Sequence, residues 1–343
     1  MRKLLNSLYI TQADVNLGRD GSNIVVYQSE QKKAQFPIQY FENIICFNYT
    51  GMSPAAMALC LENKVNVAFL NPQGKVMGRI LGRVTGNVLL RQEQFRIADN
   101  KEKSLDYAKL FMHGKLYNSI KVLSRGIRDY PKADFSEKLI KAKEKIIESK
   151  ENIAKVKNLA ELLGVEGDAS RAYFQIINNL ITQQKTYFNF SGRIKYPATD
   201  PTNALLSLSY GMVRVLVENA LITIGLDPYV GFFHQPRPGR TSLALDVMEE
   251  FRAYIADRFV LNLINRKQIN IKDMFRKESG AYLLTEKGLK KYLDIWNKRM
   301  QDEITHPYLE EKISIGLIPY TQAMLLARTI RGDLDLYPPF MMN

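Results

Sequence analysis

A histidine followed by a short acidic segment is the part of the sequence best suited to chemistry. His234 lies in a loop of proline and glycine, and the residues after it include Asp246, Glu249 and Glu250. With roughly 100° of rotation per residue of α-helix, these carboxylates and that of Asp257 fall within about a quarter-turn of the helix surface. A histidine and carboxylates that project into one space can bind a divalent metal ion. The alternative interpretation is a solvated acidic helix face beside an ordinary histidine.

A predicted helix further upstream contains another carboxylate that could join this site. Its pattern predicts a start near Glu166, with Glu166 on the same apolar side as Ala169 and Tyr173. A carboxylate on such a stripe would be desolvated, which is unfavourable unless a cationic group meets it. Glu166 is therefore either a metal ligand that meets His234 and Glu249, or a solvated glutamate favoured by the helix dipole.

The predicted secondary structure that positions these residues changes once along the chain, from strands to helices. In the first 86 residues, short apolar or alternating runs separated by turn residues predict β-strands. These predicted strands are Leu4–Ile10, Asn23–Gln28, Asn43–Phe47, Val65–Leu70 and Val76–Leu81. One predicted helix, Ala55–Glu62, follows the N-cap and first-turn pair Ser53-Pro54. The alternating rhythm of a doubly wound parallel sheet is missing.

From residue 87 onward the apolar residues recur with the spacing of helices. Segments 103–125, 136–163 and 166–184 contain no proline and carry apolar residues three and four positions apart. Thr202–Ile224 is mostly apolar, but Arg214 and Glu218 within it favour a core helix over a membrane helix. The predicted fold class is α+β: a small N-terminal β-sheet domain with one helix (1–86), then a larger all-α domain (87–343) that carries the metal site.

The composition restricts the partners and the compartment. A net charge of +13 is too large for an average enzyme of neutral metabolites and predicts an anionic partner, most often nucleic acid and next a membrane surface. Cys46 and Cys60 lie in apolar segments without ligand spacing, which favours buried thiols over a disulfide or a zinc site. The first residues become polar too early for a signal peptide, so we expect a cytoplasmic protein that does not span a membrane.

Three ordered motifs resemble one known family. They are VEGDASRAYF with Glu166, DPTNALLSLSYGM with Asn203 and Tyr210, and FFHQPRPGRTSLALDVMEEFR with His234 and Glu249. Together with the β-then-α layout and the strand that ends in VMGR, they are similar to the CRISPR-associated spacer-acquisition integrases, the Cas1 endonuclease family. The resemblance covers essentially the whole chain.

The resemblance implies a set of metal ligands and partners. Glu166, His234 and Glu249 match the three residues that bind Mg²⁺ or Mn²⁺ in this family, and they would also be the catalytic residues. Asp246 is similar to a nearby carboxylate that binds a second ion or a water molecule. A homodimer formed through the β domains, and the small acquisition protein Cas2, are the implied protein partners.

The implied activity agrees with the residues. A hard divalent ion held by Glu, His and Glu suits Mg²⁺ or Mn²⁺ better than zinc, and it stabilises charge on phosphoryl oxygens. No Ser/His/Asp or reactive-cysteine pattern and no GK[ST] loop is present in the sequence. We therefore expect a metal-dependent DNA endonuclease and integrase that inserts foreign fragments (spacers) into a CRISPR repeat array by 3′-hydroxyl attack. The alternatives are a branched-DNA nuclease in repair and a noncatalytic nucleic-acid-binding scaffold.

The candidates for DNA contact are basic residues near the domain junction, basic residues of the C-terminal segment, and two residues beside His234. These are Arg79, Arg83, Lys287, Lys290, Lys291, Arg240 and Ser242. For the basic residues of the domain junction and the C-terminal segment, the alternative is a solvated surface. For Arg240 and Ser242 the alternative is bracing of His234, and for Ser242 also a purely structural role in the turn.

Overall fold

The computed structural model describes residues 6–12, 14–47, 50–71, 75–82, 88–194 and 197–342. The strands are β1 (Asn6–Ile10), β2 (Val15–Asp20), β3 (Asn23–Gln28), β4 (Gln31–Pro37), β5 (Phe41–Cys46), β6 (Gly51–Met52), β7 (Asn66–Leu70), β8 (Val76–Ile80), β9 (Phe275–Glu278), β10 (Ala281–Leu284), β11 (Glu303–Thr305) and β12 (Lys312–Ser314). The helices are α1 (Pro54–Glu62), α2 (Val88–Asp99), α3 (Lys101–Asp129), α4 (Ser136–Asn152), α5 (Leu159–Leu180), α6 (Pro201–Ile224), α7 (Ser242–Phe251), α8 (Arg258–Asn265), α9 (Ile271–Met274), α10 (Glu286–Gln301) and α11 (Ile318–Ile330).

Two four-stranded sheets form the N-terminal region. One has the order β4-β3-β2-β6, and its hairpin β2–β3 closes over a two-residue loop in which Gly21 has a φ of 60°. The other has the order β1-β5-β7-β8, with parallel pairs β1–β5 and β5–β7 and an antiparallel β8. Leu17, Ile24 and Ile44 are fully buried in the core that the sheets share with α1.

The strand predictions were right where apolar residues dominate. The segments predicted around β1, β3, β5, β7 and β8 are strands, although residues 4 and 5 lie outside the described residues. The helix after Ser53 is also confirmed, since the Ser53 side chain accepts a hydrogen bond from the Ala56 N–H at 3.2 Å. The pattern missed β2, β4 and the two-residue β6. β4 reads QKKAQFP and is largely exposed, so it lacks the apolar alternation on which the prediction depends.

The boundary between the predicted helices 136–163 and 166–184 was wrong. α4 ends at Asn152 and α5 begins at Leu159. Asn158 caps α5 by accepting from the Glu161 N–H at 2.9 Å, and the Glu161 carboxylate accepts from the Lys157 N–H at 2.8 Å. Glu166 therefore lies two turns inside α5, which rules out the interpretation of Glu166 as a helix-start residue favoured by the dipole.

The C-terminal region is mostly helical rather than all-α. Its helices are joined by two short antiparallel hairpins, β9–β10 and β11–β12, whose strands of three or four residues are too short to show a period. α6 is long and apolar enough to cross a membrane by composition, but 72% of its most apolar window is buried and it packs against α7 and α11. The core-helix interpretation is thus supported. Residues 83–87 at the predicted domain boundary lie outside the described residues, so the division at residue 86 stays a prediction.

Candidate active site

Three helices bring two carboxylates to one ammonium group. Glu166 projects from α5, Glu249 from the last turns of α7, and Lys115 from the middle of α3. The Lys115 Nζ contacts Glu166 Oε1 and lies 2.8 Å from Glu249 Oε2. The structure therefore brings together two of the three predicted metal ligands, around a cation supplied by the chain itself.

Both carboxylates are stabilised in the ionised form. Burial opposes ionisation of Glu166, but Lys115 and the Ser170 hydroxyl, 2.6 Å from Oε1, outweigh it and lower the pKa of Glu166. Burial also opposes ionisation of Glu249, yet the pKa of Glu249 is lowered because Arg252 and Lys115 lie beside it. The Arg252 Nη1 is 2.7 Å from Glu249 Oε1, and its guanidinium stacks 4.4 Å from the centre of the Tyr210 ring.

Asp246 fixes the orientation of His234, the third predicted ligand. Its Oδ2 accepts hydrogen bonds from the N–H groups of Phe232 and Phe233 at 2.6 and 3.0 Å. Its Oδ1 accepts from the His234 N–H at 2.8 Å and lies 2.7 Å from His234 Nδ1. The backbone can approach this closely because residue 231 is glycine, where a Cβ would lie 2.7 Å from Asp246 Oδ2. This arrangement places the ring proton on Nδ1 and leaves Nε2 with a free electron pair.

These contacts limit what Asp246 can do. Each of its oxygens already has two donors, and the side chain is fully buried. The geometry therefore supports a positioning role for Asp246 rather than binding of a second ion.

The alternative interpretation of a solvated acidic face is wrong. Asp246, Glu249, Glu250 and Asp257 are all buried, with relative exposures of 0, 5, 0 and 3%. They also do not share one direction, and α7 continues into a π-helical turn at residues 252–257, whose period differs from that of an α-helix and redirects Asp257. Asp257 accepts a hydrogen bond from the Tyr210 hydroxyl at 2.5 Å, and Glu250 accepts from the Phe340 N–H at 2.7 Å on another side.

The donor set fits a hard divalent ion. Among the described residues, no three His, Cys, Asp or Glu side chains are already arranged as a complete ligand cluster. However, within the described part of the chain the buried Glu249 Oε2 has no hydrogen bond of good geometry, and the Lys115 ammonium lies 2.8 Å from it. His234 is close enough to contribute to the low pKa of Glu249. Two carboxylates and an imidazole nitrogen are ligands that Mg²⁺ and Mn²⁺ accept.

The residues predicted to contact DNA differ in their exposure to solvent and in the partners that they already have. Arg79 pairs with Glu218, donates to Asn219 Oδ1, and has a side-chain exposure of only 10%, so the geometry argues against phosphate contact by Arg79. Ser242 is fully buried and donates to the Gln235 carbonyl at 3.2 Å, which braces the loop that carries His234.

The other predicted DNA contacts that the structure describes are more exposed to solvent. Arg240 is partly exposed, and its guanidinium makes no ion pair with any residue that the structure describes. Lys287, Lys290 and Lys291 are exposed on α10, with Lys287 3.4 Å from Asp273. Arg83 lies outside the described residues.

Sequence reasoning missed Lys115, Arg252 and Ser170 as members of the site. A signal for Lys115 was present, because it falls on the stripe of α3 that also contains the buried Ala108, Phe111, Ser119 and Val122. A lysine on such a stripe requires an anionic partner for the same reason as a buried glutamate does.

Comparison with known proteins identifies the family of this chain. The family model for CRISPR associated protein Cas1 matches residues 8–298. The chain belongs to the Cas1 family. It is 39% identical over 341 residues to the CRISPR-associated endonuclease Cas1 of Chlorobaculum tepidum, covering 99% of each chain.

Solved structures share the Cas1 fold of this chain. A casposase bound to integration product has a TM-score of 0.85 and 24% identity, covering 100% of this chain and 95% of that chain. A Cas6-RT-Cas1--Cas2 complex has a TM-score of 0.84 and 20% identity, covering 100% of this chain and 37% of that chain. The family, the α+β fold class and the expected function as a CRISPR-associated endonuclease are confirmed.

Proposed function

We propose that this Cas1 protein cuts and joins DNA at a metal centre formed by Glu166, His234 and Glu249. The observation that carries the proposal is the meeting of the Glu166 and Glu249 carboxylates, from two helices, at a single buried cation. A bound Mg²⁺ or Mn²⁺ would neutralise charge on the phosphoryl oxygens during in-line displacement. The chain's own residues hold this centre in place: Asp246 orients His234, and Arg252 anchors Glu249.

The attacking group comes from DNA or water rather than from the protein. Burial raises the pKa of Cys46 and of Cys60 to about 12, so neither thiol is a competent nucleophile at neutral pH. A 3′-hydroxyl on an incoming fragment can attack the repeat directly, which gives spacer insertion without a covalent protein intermediate. We propose Cas2 as the partner and a homodimer through the β-sheet region as the active unit, in the cytoplasm. A Cas6-RT-Cas1--Cas2 complex that contains the same fold supports Cas2 as the partner.

The metal centre is tested by three single substitutions. Glu166→Ala, His234→Ala and Glu249→Ala should each weaken Mn²⁺ binding in calorimetry and abolish cleavage of branched DNA, because each removes one of three protein ligands. Asp168→Ala is the matched control, since Asp168 lies on α5 two residues from Glu166 but is 60% exposed. A variant that keeps chelator-sensitive turnover near the wild-type rate would remove its residue from the site.

Joining is separated from cleavage by blocking the fragment ends. With Cas2, Mn²⁺ and a supercoiled plasmid that bears a repeat, a short duplex with free 3′ ends should be inserted. The same duplex with 3′-dideoxy ends should bind equally well and give no joined product. If only water-cleaved plasmid appears with free 3′ ends as well, the protein is a branched-DNA nuclease instead.

A further inference from the structure

Lys115 is held by the same atoms that a metal ion would use. Its ammonium contacts Glu166 Oε1 and lies 2.8 Å from Glu249 Oε2, and its side chain is only 11% exposed. No other anionic partner of Lys115 is found in the part of the chain that the structure describes. The lysine and the proposed metal ion therefore compete for one pair of carboxylate oxygens.

The two cations cannot share these oxygens. A divalent ion binds carboxylate oxygens at about 2.1 Å, inside the distance at which the ammonium now lies from Glu249. A positively charged ammonium in that position would be repelled by the ion in a low-dielectric site. Lysine has a flexible four-carbon stem and a compact charge, so its ammonium can move aside while the helix stays in place.

Arg252 provides the contrast that identifies Lys115 as the exchangeable cation. Its guanidinium binds the other oxygen of Glu249 at 2.7 Å and is stacked on Tyr210. Because two different partners hold Arg252, it can remain beside Glu249 when an ion binds at Oε2. Among the residues that the structure describes, the anionic partners of Lys115 are the two carboxylates that the ion would require.

We propose that Lys115 is a built-in counter-cation that a divalent ion displaces, and that the displaced ammonium then binds the phosphate of the DNA strand at the ion. This rests on the proposed function of the site. A strand can reach this site from solvent, since the Glu166 side chain beside Lys115 is 19% exposed. An ammonium next to the reacting phosphate would offset charge that develops on its oxygens.

The first experiment uses the wild-type chain. Lysines are acetylated with a water-soluble reagent in EDTA or in Mn²⁺, and each site is quantified by mass spectrometry. Lys115 should become several-fold more reactive with Mn²⁺, while Lys145 on α4, which is exposed and 2.9 Å from Glu148, should not change. Equal labelling of Lys115 in the two conditions would overturn the displacement.

The second experiment compares Lys115→Met with Lys145→Met. Methionine keeps the length of the stem without the charge, so Lys115→Met should bind Mn²⁺ at least tenfold more tightly in calorimetry. At saturating Mn²⁺ it should nevertheless join or cleave DNA at least tenfold more slowly, whereas Lys145→Met should match the wild type in both. Unchanged or weaker Mn²⁺ binding by Lys115→Met refutes the competition, and a wild-type rate refutes the phosphate contact.

Two further controls keep the result interpretable. If Lys115→Met does not fold, Lys115→Gln provides an uncharged side chain that can still donate hydrogen bonds to both carboxylates, with the same expected outcomes. Failure of the proposed function itself has a different signature. In that case the wild type and Glu166→Ala bind Mn²⁺ equally, whereas failure of the Lys115 inference alone leaves that difference intact.

Discussion

Substitution of Asp246 by asparagine replaces one carboxylate oxygen with an amide group, at the contact between α7 and the loop that carries His234. In the native site, four donors converge on the carboxylate: three backbone N–H groups and His234 Nδ1, at 2.6 to 3.0 Å. An asparagine can present its carbonyl oxygen to Phe232 and Phe233. Its amide group then faces the N–H and the Nδ1 of His234, where an acceptor is required.

The structure sets the size of the effect. A buried N–H without an acceptor costs about 1–3 kcal/mol, so Asp246→Asn should lower the free energy of unfolding by roughly 2 kcal/mol. The amide can instead donate to Nδ1, but this leaves the ring proton on Nε2, the nitrogen needed for the metal. Loss of a carboxylate that orients a metal-binding histidine weakens metal binding by about 10–100-fold. We expect a loss of that order for Mn²⁺.

Two measurements check this reasoning on one sample. Urea unfolding gives the change in stability, and calorimetry gives the Mn²⁺ affinity of the folded variant. Asp168→Asn is the matched control, because Asp168 is exposed on α5 and lies 3.7 Å from the Arg171 guanidinium. If Asp246→Asn binds Mn²⁺ as tightly as the wild type, the carboxylate does not set the orientation of His234 and the reasoning is refuted.

Two further predictions concern the buried Glu250 and the exposed lysines of α10. Burial raises the pKa of Glu250 from 4.5 to about 8. Between these pH values the folded chain keeps a proton that the unfolded chain releases. The free energy of unfolding should therefore fall by roughly 1.4 kcal/mol per pH unit as the pH rises through this range. Glu250→Gln should flatten this dependence in urea unfolding at pH 5.5 and 7.5; identical slopes in both proteins would contradict it. For DNA binding, Lys290→Glu with Lys291→Glu should reduce the log–log salt slope by about 1.8 if both contact phosphate. The exposed α4 pair Lys138 and Lys141 is the control, and an unchanged slope would place the contacts elsewhere.

The local pattern of apolar residues was sufficient to predict most helices and strands, but not the contacts between them. The alternation in Asn23–Gln28 and the apolar spacing of α3 and α6 specify strand and helix, because each depends on neighbouring residues. The position of Glu166 on an apolar stripe likewise correctly indicated partial burial, since its side chain is 19% exposed. The identity of its cationic partner could not be predicted, since Lys115 is 51 residues away and meets Glu166 only when α3 packs beside α5. Helical-period reasoning also failed after residue 251, where the π-helical turn redirects Asp257.

Arg79 shows that net charge alone does not identify which basic residues are free to contact DNA. The sequence contains a mostly apolar helix with one glutamate, Glu218, and a predicted strand that contains Arg79; if buried, each charge requires a counter-charge. In the structure they satisfy one another, and Glu218 also accepts hydrogen bonds from Arg214 and, at 2.7 Å, from the hydroxyl of Thr241. Thr241 immediately precedes α7, the helix that carries Asp246 and Glu249. The arginine that charge alone assigned to DNA thus connects the β-sheet region to the start of α7, and we expect any contribution of Arg79 to activity to act through the position of that helix rather than through phosphate.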